Sequence, residues 1–171
     1  MLEILRKRRS IRKYKDKDID PQIVEQLKEA VLRSPSSRDI KPWRFVFVTD
    51  REKLKKLSFA KESGSGFLKG ARLGVVVAAE GDKSDVWIED CSIASIILQL
   101  EGQSLGLGSC WIQIRNRMHS DSKSSEDYVK GILGLSENMK VESIISFGYP
   151  DEEKQPVPIS ELDYQKIHSI V

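Results

Sequence analysis

The feature that most constrains the fold is an uninterrupted apolar run from Gly74 to Ala79, with the sequence GVVVAA. Its length suits one strand, and it lacks the alternation expected where one face of a strand meets water. Such a strand must be covered on both faces. The run therefore predicts a sheet with helices on either side, in a layered α/β or α+β fold.

Helical and strand patterns alternate around this run, without repeats or low-complexity linkers. Asp20 and Pro21 are typical of an N-cap and a first helical residue, and Thr49 with Glu52 predicts a capping box at the next helix. Asp85 or a neighbour is predicted to cap a long helix that is apolar over most of its girth and is therefore buried. The further predictions are strands at residues 45–48, 109–114 and 141–147, helices at residues 20–34 and 124–133, and a left-handed Gly106 after the long helix.

The residues after the last predicted strand form a polar stretch that we call the C-terminal tail (residues 150–171). Pro150, Pro156 and Pro158 are spaced through it, so it cannot be the interior of a helix or a central strand. We expect the tail to run over a surface, which a partner chain could provide.

Composition limits the class of protein. With 171 residues, 39% of them hydrophobic, the chain suits one domain over residues 1–171. No apolar run approaches the roughly 18 residues of a membrane-spanning helix. The N-terminal basic residues follow the short apolar patch, whereas a secretory signal places them first. We expect a cytoplasmic protein without a membrane partner.

Charge and cysteine content make two further classes improbable. The formal net charge of +2 gives no global field for nucleic acid binding. Cys91 and Cys110 stand apart, and His119 and His168 are the only histidines. We therefore expect neither a metal site nor a disulfide framework.

Three arginines and a serine lie close together near the N-terminus, in residues 8–12, which we call the arginine segment. Arg8, Arg9 and Arg12 offer guanidinium groups suited to bidentate binding of phosphate oxygens, and Ser10 adds a hydroxyl. The alternative is a solvated charged face beside a helix, which is the commoner outcome for such a run. The segment alone leaves both interpretations open.

A polar turn precedes the strand at residues 45–48 and is closed by Pro42 and Trp43. We call residues 35–39 the serine turn. Its hydroxyls and exposed amides could hydrogen-bond a planar heterocycle, although many such loops are only connectors. The combination with the arginine segment is more specific than either motif alone.

Together, the two motifs resemble the flavin-dependent nitroreductase family. The resemblance continues through the glycine-rich stretch at residues 106–112 and through Gly148, Tyr149 and Pro150, and it covers essentially the whole chain. It implies an α+β three-layer sandwich, in which a central, mostly antiparallel sheet has helices on both faces and the tail reaches the partner subunit. It also implies FMN as the cofactor, NADH or NADPH as the electron donor, and a homodimer with FMN at the subunit interface.

The resemblance also assigns roles to individual residues. Arg8, Arg9 and Ser10 would hold the FMN phosphate and ribityl region. Arg12 would lie near the pyrimidine edge, where a fixed cation favours the reduced, negatively charged flavin. The serine turn of the partner subunit is implied to contact the flavin through Pro35, Ser36, Ser37 and Asp39. The main chain of Phe147 and Gly148 would lie by the reactive N5 edge, where glycine would admit the ring. Trp111 is a further candidate neighbour of the flavin, although a tryptophan on a strand is more often a core residue.

Three positions depart from the family pattern. Asp39 and Lys41 stand where family members often carry asparagine and glutamine. The tail lacks the basic pair that many members use at the phosphate, which leaves Lys154 as the nearest substitute. These differences change the local charge and bear on cofactor and substrate preference.

The implied reaction is hydride transfer from NAD(P)H to FMN and then to an oxidised acceptor such as a nitroaromatic or a quinone, by a ping-pong mechanism. No side-chain acid or nucleophile is required, because the flavin carries the chemistry. One alternative is a family member that remodels or stores flavin or dehalogenates an aromatic ring. A more remote one is a non-enzymatic nucleic-acid-binding module that uses the basic cluster from Arg6 to Lys13.

Overall fold

The computed structural model describes residues 1–170, and its centre is a four-stranded antiparallel sheet. The apolar run lies in a strand that is paired on both edges and buried from Leu73 to Ala79, which confirms the prediction. The strands are β1 (Trp43–Val48), β2 (Leu73–Glu80), β3 (Gly108–Gln113), β4 (Met118–Ser120), β5 (Lys123–Ser124) and β6 (Met139–Gly148). The central sheet has the strand order β1-β2-β6-β3, and β4 and β5 form a separate hairpin.

Two helices cover one face of the sheet, α2 (Pro21–Leu32) and α4 (Trp87–Ser104). Leu27 of α2 and Leu98 of α4 are fully buried in one cluster with Val75 of β2. Burial of large aliphatic side chains between a helix layer and a sheet is the main stabilising contribution in such a fold.

The opposite face is covered by α3 (Arg51–Leu57) and α5 (Ser125–Leu133). Leu54 and Val129 are fully buried in one cluster with Val76. Val76 belongs to this cluster and Val75 to the other, because successive side chains of a strand alternate between faces. The three layers are those of the implied α+β sandwich.

The start of α2 is predicted correctly, and that of α3 is not. Asp20 caps α2, and its carboxylate accepts the N–H of Gln22 at 2.8 Å. The predicted capping box at Thr49 is wrong, because Asp50 caps α3 by accepting the N–H of Lys53 at 2.7 Å. Thr49 and Asp50 both carry a side-chain oxygen that could accept a hydrogen bond, and the cap is formed by Asp50, whose side chain reaches the N–H of Lys53.

The long central helix α4 begins where the sequence predicts. Its N-cap is Val86, the neighbour of Asp85, without a side-chain hydrogen bond, and the Asp85 carboxylate pairs with Arg38. Ile93 and Ile96 are 40% and 37% exposed, so one face of the helix is not covered within the single chain. Gly106 follows the helix with a φ of +79°, as predicted, in a conformation that costs glycine little.

The short helix α1 (Leu2–Lys7) and the β4-β5 hairpin are not among the predicted helices and strands. The tail contains only two short 3-10 turns, Ile159–Glu161 and Tyr164–Lys166, in keeping with its prolines. Its described residues beyond Lys154 are all exposed. Within residues 1–170, no helix has both the length and the apolar content needed to cross a membrane.

Candidate functional site

The arginine segment leaves α1 and runs along the outer edge of β3. Ser10 forms a parallel bridge with Ser109, and the N–H of Ile11 donates to the carbonyl of Ser109 at 2.9 Å. Gly108 permits this approach, because a Cβ there would lie 2.8 Å from the Ile11 side chain. The main chain of the segment is thus attached to the sheet.

The guanidinium groups of the arginine segment keep their charge available for a ligand. In the described part of the chain, none of Arg8, Arg9 and Arg12 forms an ion pair with a carboxylate. Arg9 donates to the carbonyl of Gln155, and the Arg12 guanidinium lies 5.7 Å from the centre of the Phe67 ring. These partners are neutral, so the positive charges are not compensated.

Lys154 lies beside the arginine segment, although 144 residues separate it from Ser10 in the sequence. Its ammonium donates to the carbonyl of Ser10 at 2.7 Å. The side chain that the sequence offers as a substitute for the missing basic pair therefore contacts the main chain of the arginine segment. The structure places all of the residues predicted for the phosphate in one region.

Glu152 is a member of this region that no motif indicated. Its Oε1 accepts the N–H groups of Arg12 and Lys13, the latter at 3.2 Å, and lies 3.6 Å from the Lys154 ammonium. The Arg12 N–H, followed by the Lys13 N–H and the ammonium, lowers the pKa of Glu152 below its ordinary value, since each favours the charged carboxylate. In the sequence, this residue looks like any surface carboxylate.

Tyr14 explains the glycine at position 148. A Cβ at Gly148 would lie 2.8 Å from the Tyr14 ring. The Tyr14 hydroxyl donates to the carbonyl of Ile11 at 2.6 Å and lies 2.7 Å from Ser146 Oγ, and burial raises its pKa. Tyr14 occupies the space that a side chain at position 148 would fill, which is a reason for glycine independent of a cofactor, and the contact of Gly148 with the flavin stays a prediction.

Phe147 and Trp111 pack on the α4 side of the sheet. The Phe147 ring is fully buried against Gly102, so only its main chain can meet a ligand, and its carbonyl already accepts the N–H of Arg72 at 2.9 Å. Trp111 is half-buried and donates from its indole N–H to Gln113 Oε1 at 2.9 Å. As flavin neighbours, both residues remain predictions.

The serine turn has an uncommon backbone conformation. Arg38 and Asp39 in the turn, and Lys41 just after it, have φ angles of 52°, 55° and 53°. Residues other than glycine rarely adopt this left-handed region. Ser36 Oγ accepts the N–H of Lys41 at 2.9 Å, which closes the turn locally.

Asp90 of α4 connects the serine turn with the protein core. Its Oδ1 accepts the N–H of Ser37 at 2.9 Å, and the residue is only 2% exposed. The turn and α4 together line a cavity of about 390 Å³, with Val86 and Ile93 among its apolar walls. An acidic residue in the first turn of a helix is common, so the sequence gives no signal for this contact.

The arginine segment lines a different cavity. This cavity, of about 480 Å³, lies between α1 and the C-terminal tail, and its walls include Arg8, Arg9, Leu5 and Ile159. The two cavities share no lining residue. Within residues 1–170 of one chain, the arginine segment and the serine turn therefore do not form a common pocket.

Comparison with known proteins identifies the family. The sequence profile of the nitroreductase family matches residues 5–63 and 57–149, which is most of the chain. The chain belongs to the nitroreductase family. An FMN-dependent nitroreductase from Clostridium difficile R20291 has the same fold, with a TM-score of 0.97 and 46% identity, over 99% of this chain and 98% of that one.

Two further relatives agree with this assignment. A protein of Archaeoglobus fulgidus, provisionally named an NADH dehydrogenase/NAD(P)H nitroreductase, is 36% identical over 157 residues, 90% of this nitroreductase-family chain and 87% of the relative. A protein of Methanothermobacter thermautotrophicus with the same name is 32% identical over 174 residues, 98% of this chain and 85% of the relative. The family and the three-layer fold inferred from the sequence motifs are confirmed.

Proposed function

We propose that this chain is an FMN-dependent oxidoreductase, which takes hydride from NADH or NADPH and reduces an oxidised acceptor such as a nitroaromatic or a quinone. The observation that carries the proposal is a group of cationic side chains, in which Arg8 and Arg9 line one cavity with Ser10 and the Lys154 ammonium donates to the Ser10 carbonyl. The 46% identity to an FMN-dependent nitroreductase supports the same cofactor.

The cationic group fits the phosphate of FMN. A phosphate monoester carries about −1.5 to −2 charges at neutral pH and has three strong acceptor oxygens. Arg8 and Arg9 can each bind it in a bidentate manner, Ser10 can donate its hydroxyl, and Lys154 contributes a point charge. Because the arginines lack carboxylate partners among residues 1–170, they can bind the phosphate without losing an ion pair, and only Lys154 is paired, with Glu152 at 3.6 Å.

When bound, FMN would supply the hydride chemistry. Arg12 would act electrostatically: its backbone is held by Glu152, its guanidinium lies against the Phe67 ring, and a cation so placed at the pyrimidine edge stabilises negative charge there. The protein then needs only to orient the two substrates and exclude water. This division of labour accounts for a chain with two histidines and no catalytic cluster in its sequence motifs.

The separation of the two cavities supports a homodimer with FMN at the subunit interface. In the proposed dimer, the serine turn of one chain completes the site built on the arginine segment of the other. Exposed apolar side chains support such a dimer: Ile93 and Ile96 on α4, and Ile159 and Ile167 in the tail, which are 62% and 66% exposed. We propose that the partner subunit covers them, and that the tail reaches it.

The kinetic consequence is a ping-pong mechanism. NAD(P)H and the acceptor would use the same face of the cofactor, so the oxidised nicotinamide must leave before the acceptor binds. Initial rates at several fixed acceptor concentrations should give parallel double-reciprocal lines. Intersecting lines would instead require both substrates to be bound at once, and would contradict a shared binding face.

The decisive experiment is a spectrum of the purified protein. We expect a yellow protein whose oxidised-flavin absorbance is bleached by NADH or NADPH without oxygen and restored by a quinone. A colourless protein that cannot be reconstituted with FMN would overturn the proposal. Analytical ultracentrifugation tests the shared site separately, because a monomer that binds FMN tightly would contradict it.

A further inference from the structure

We infer that Asp90 is a positioning residue for the FMN site of the partner subunit, because it holds the serine turn through the N–H of Ser37 and does not itself reach the cofactor. The inference rests on the proposed function, since it takes the serine turn as the part of the chain that completes the partner's site. It adds a residue from the core helix to that site.

The contact between Asp90 and Ser37 differs in kind from the other bonds of the turn. It is a hydrogen bond of 2.9 Å to a carboxylate that is 2% exposed, and charge-assisted bonds of this kind are stronger than neutral ones. The pair between Lys41 and Asp39, by contrast, lies at the surface, where ion pairs contribute little. Asp90 is therefore the buried connection between the turn and α4.

The backbone of the turn needs such a connection. Arg38, Asp39 and Lys41 all have φ angles between 52° and 55°, a conformation that stores strain in residues with a side chain. Without an external contact, this stretch can relax to the ordinary right-handed or extended regions. Relaxation would displace Ser36 and Ser37, which are the side chains proposed to meet the partner's FMN.

Burial of the Asp90 carboxylate also costs free energy, which an apolar residue at this position would avoid. Its Oδ2 is buried and has no hydrogen-bond partner among the atoms of residues 1–170. Position in the first turn of α4 offsets part of this cost, because the helix N-terminus is partially positive. A leucine, which is similar in shape, would avoid the unpaired oxygen but could not accept the Ser37 N–H.

Two variants separate the hydrogen bond from the bulk of the side chain. Asp90→Ala removes the acceptor, and Asp90→Asn keeps one acceptor oxygen. We expect Asp90→Ala to raise the Kd for FMN about tenfold or more, as for loss of a bond to a charged group, and Asp90→Asn to stay within about threefold of wild type. Glu101→Ala is the matched control, because Glu101 lies on the same helix but outside that cavity, and its side chain forms no bond with the turn in the described structure.

A readout without flavin tests the contact itself. In the apo protein, Asp90→Ala should speed amide hydrogen exchange at Ser37 and tryptic cleavage after Arg38, whereas Asp90→Asn and Glu101→Ala should not. If Asp90→Ala fails to fold, Asp90→Leu replaces it. Unchanged exchange and unchanged FMN affinity in the variant without an acceptor would overturn the inference, and so would equal losses in the asparagine and alanine variants.

Mixed dimers test whether Asp90 acts across the interface. Chains with Asp90→Ala are coexpressed, under a second affinity tag, with chains carrying Arg8→Ala and Arg9→Ala. One site of the mixed dimer then combines an intact arginine segment with an intact serine turn, and the other has both defects. We expect one FMN per dimer bound with wild-type affinity.

If Asp90 served the site of its own chain, both sites of the mixed dimer would be defective. Loss of all tight FMN binding in the mixed dimer would therefore overturn the inference. Failure of the proposed function has a different signature, because wild-type protein would then bind no FMN or would be monomeric. In that case, exchange at Ser37 would still decide whether Asp90 holds the turn.

Discussion

The arginine segment and the serine turn, two proposed parts of one cofactor site, are positioned by different contacts. The arginine segment is attached through its main chain: the N–H of Ile11 donates to Ser109, and the N–H groups of Arg12 and of the adjoining Lys13 donate to Glu152. The serine turn is connected to the core by the side chain of Asp90, and its backbone is left-handed at Arg38.

Because of this difference, substitutions should affect ligand binding and the stability of the fold separately in the arginine segment, but together in the serine turn. Side-chain substitutions in the arginine segment leave its main-chain bonds in place, so they should weaken ligand binding and leave folding largely unchanged. In the serine turn, the contacts that position the backbone are the same ones that offset its strain. Each prediction below tests one side of this comparison, beginning with the largest effect.

The largest effect is expected for the double variant Arg8→Ala/Arg9→Ala. Each lost charge-assisted bond to phosphate is worth about 1.5–3 kcal/mol, so the Kd for FMN should rise about 100-fold or more. The free energy of unfolding should change by less than about 0.5 kcal/mol, as for other surface substitutions. Flavin fluorescence titration and urea denaturation of the apo protein measure the two quantities.

The control for this pair is Lys7→Ala, because Lys7 is exposed, pairs with Glu3 at 4.0 Å and does not line the cavity of the arginine segment. We expect its FMN affinity to change little. Wild-type FMN affinity in the double variant would show that the phosphate binds elsewhere. A loss of stability comparable with the loss of binding would show that the arginine segment depends on its side chains, against the comparison.

The next effect concerns the packing beneath the arginine segment. Gly148→Ala places a Cβ 2.8 Å from the Tyr14 ring, and we expect it to reduce the free energy of unfolding by about 1–3 kcal/mol. Gly131→Ala is the control, since nothing lies within 4 Å of its Cβ and alanine is favoured in a helix by about 1 kcal/mol. Urea denaturation should show opposite signs, and a neutral Gly148→Ala would mean that Tyr14 shifts freely.

The sequence predicts those features of the fold that depend on neighbouring residues. The buried strand β2, the cap at Asp20 and the left-handed Gly106 are predicted correctly, because each depends on residues adjacent in the chain. The cap of α3 is mispredicted at Thr49, because the neighbouring Asp50 satisfies the same requirement and local pattern does not rank the two.

Residues of the candidate site could be predicted only where they belong to a motif that resembles the family. The resemblance brought together the arginine segment and Lys154, which the structure places side by side. Glu152, Tyr14 and Asp90 gave no signal, because their partners lie far along the chain and a lone carboxylate or tyrosine is ordinary at the surface. Long-range pairing determines their role, and composition does not encode it.

A smaller effect is expected from pH at Glu152, which binds the main chain of the arginine segment. Because its pKa is lowered in the folded protein, the charged form stabilises the fold above the ordinary value of 4.5, and this stabilisation is lost as the pH falls through the lower, folded pKa. Glu152→Gln should therefore reduce stability near neutral pH by up to about 1 kcal/mol, and the difference from wild type should shrink below pH 4.5.

Urea denaturation of both proteins across this pH range measures the effect. Glu153→Gln is the matched control, because Glu153 is exposed and forms no bond with the arginine segment in the described structure. A pH dependence shared by both variants would assign the effect to general surface charge. A constant difference between wild type and Glu152→Gln at all pH values would contradict the proposed hold on the Arg12 main chain.

The smallest effect tests backbone strain next to the serine turn, at Lys41, whose φ is 53°. Glycine and alanine at this position both remove the ion pair with Asp39, so their difference isolates the backbone. Glycine adopts a positive φ without the steric cost that alanine has, but it loses more conformational entropy on folding. We expect the first effect to be the larger, so that Lys41→Gly is more stable than Lys41→Ala by up to about 1 kcal/mol. In the helix α3, Lys55→Gly should be less stable than Lys55→Ala by about the same amount. Urea denaturation measures the free energies of unfolding, and opposite signs at positions 41 and 55 would show that the backbone at Lys41 is strained. If the alanine and glycine variants at position 41 are equally stable, the backbone there is relaxed. The two parts of the site would then differ only in the contacts that hold them.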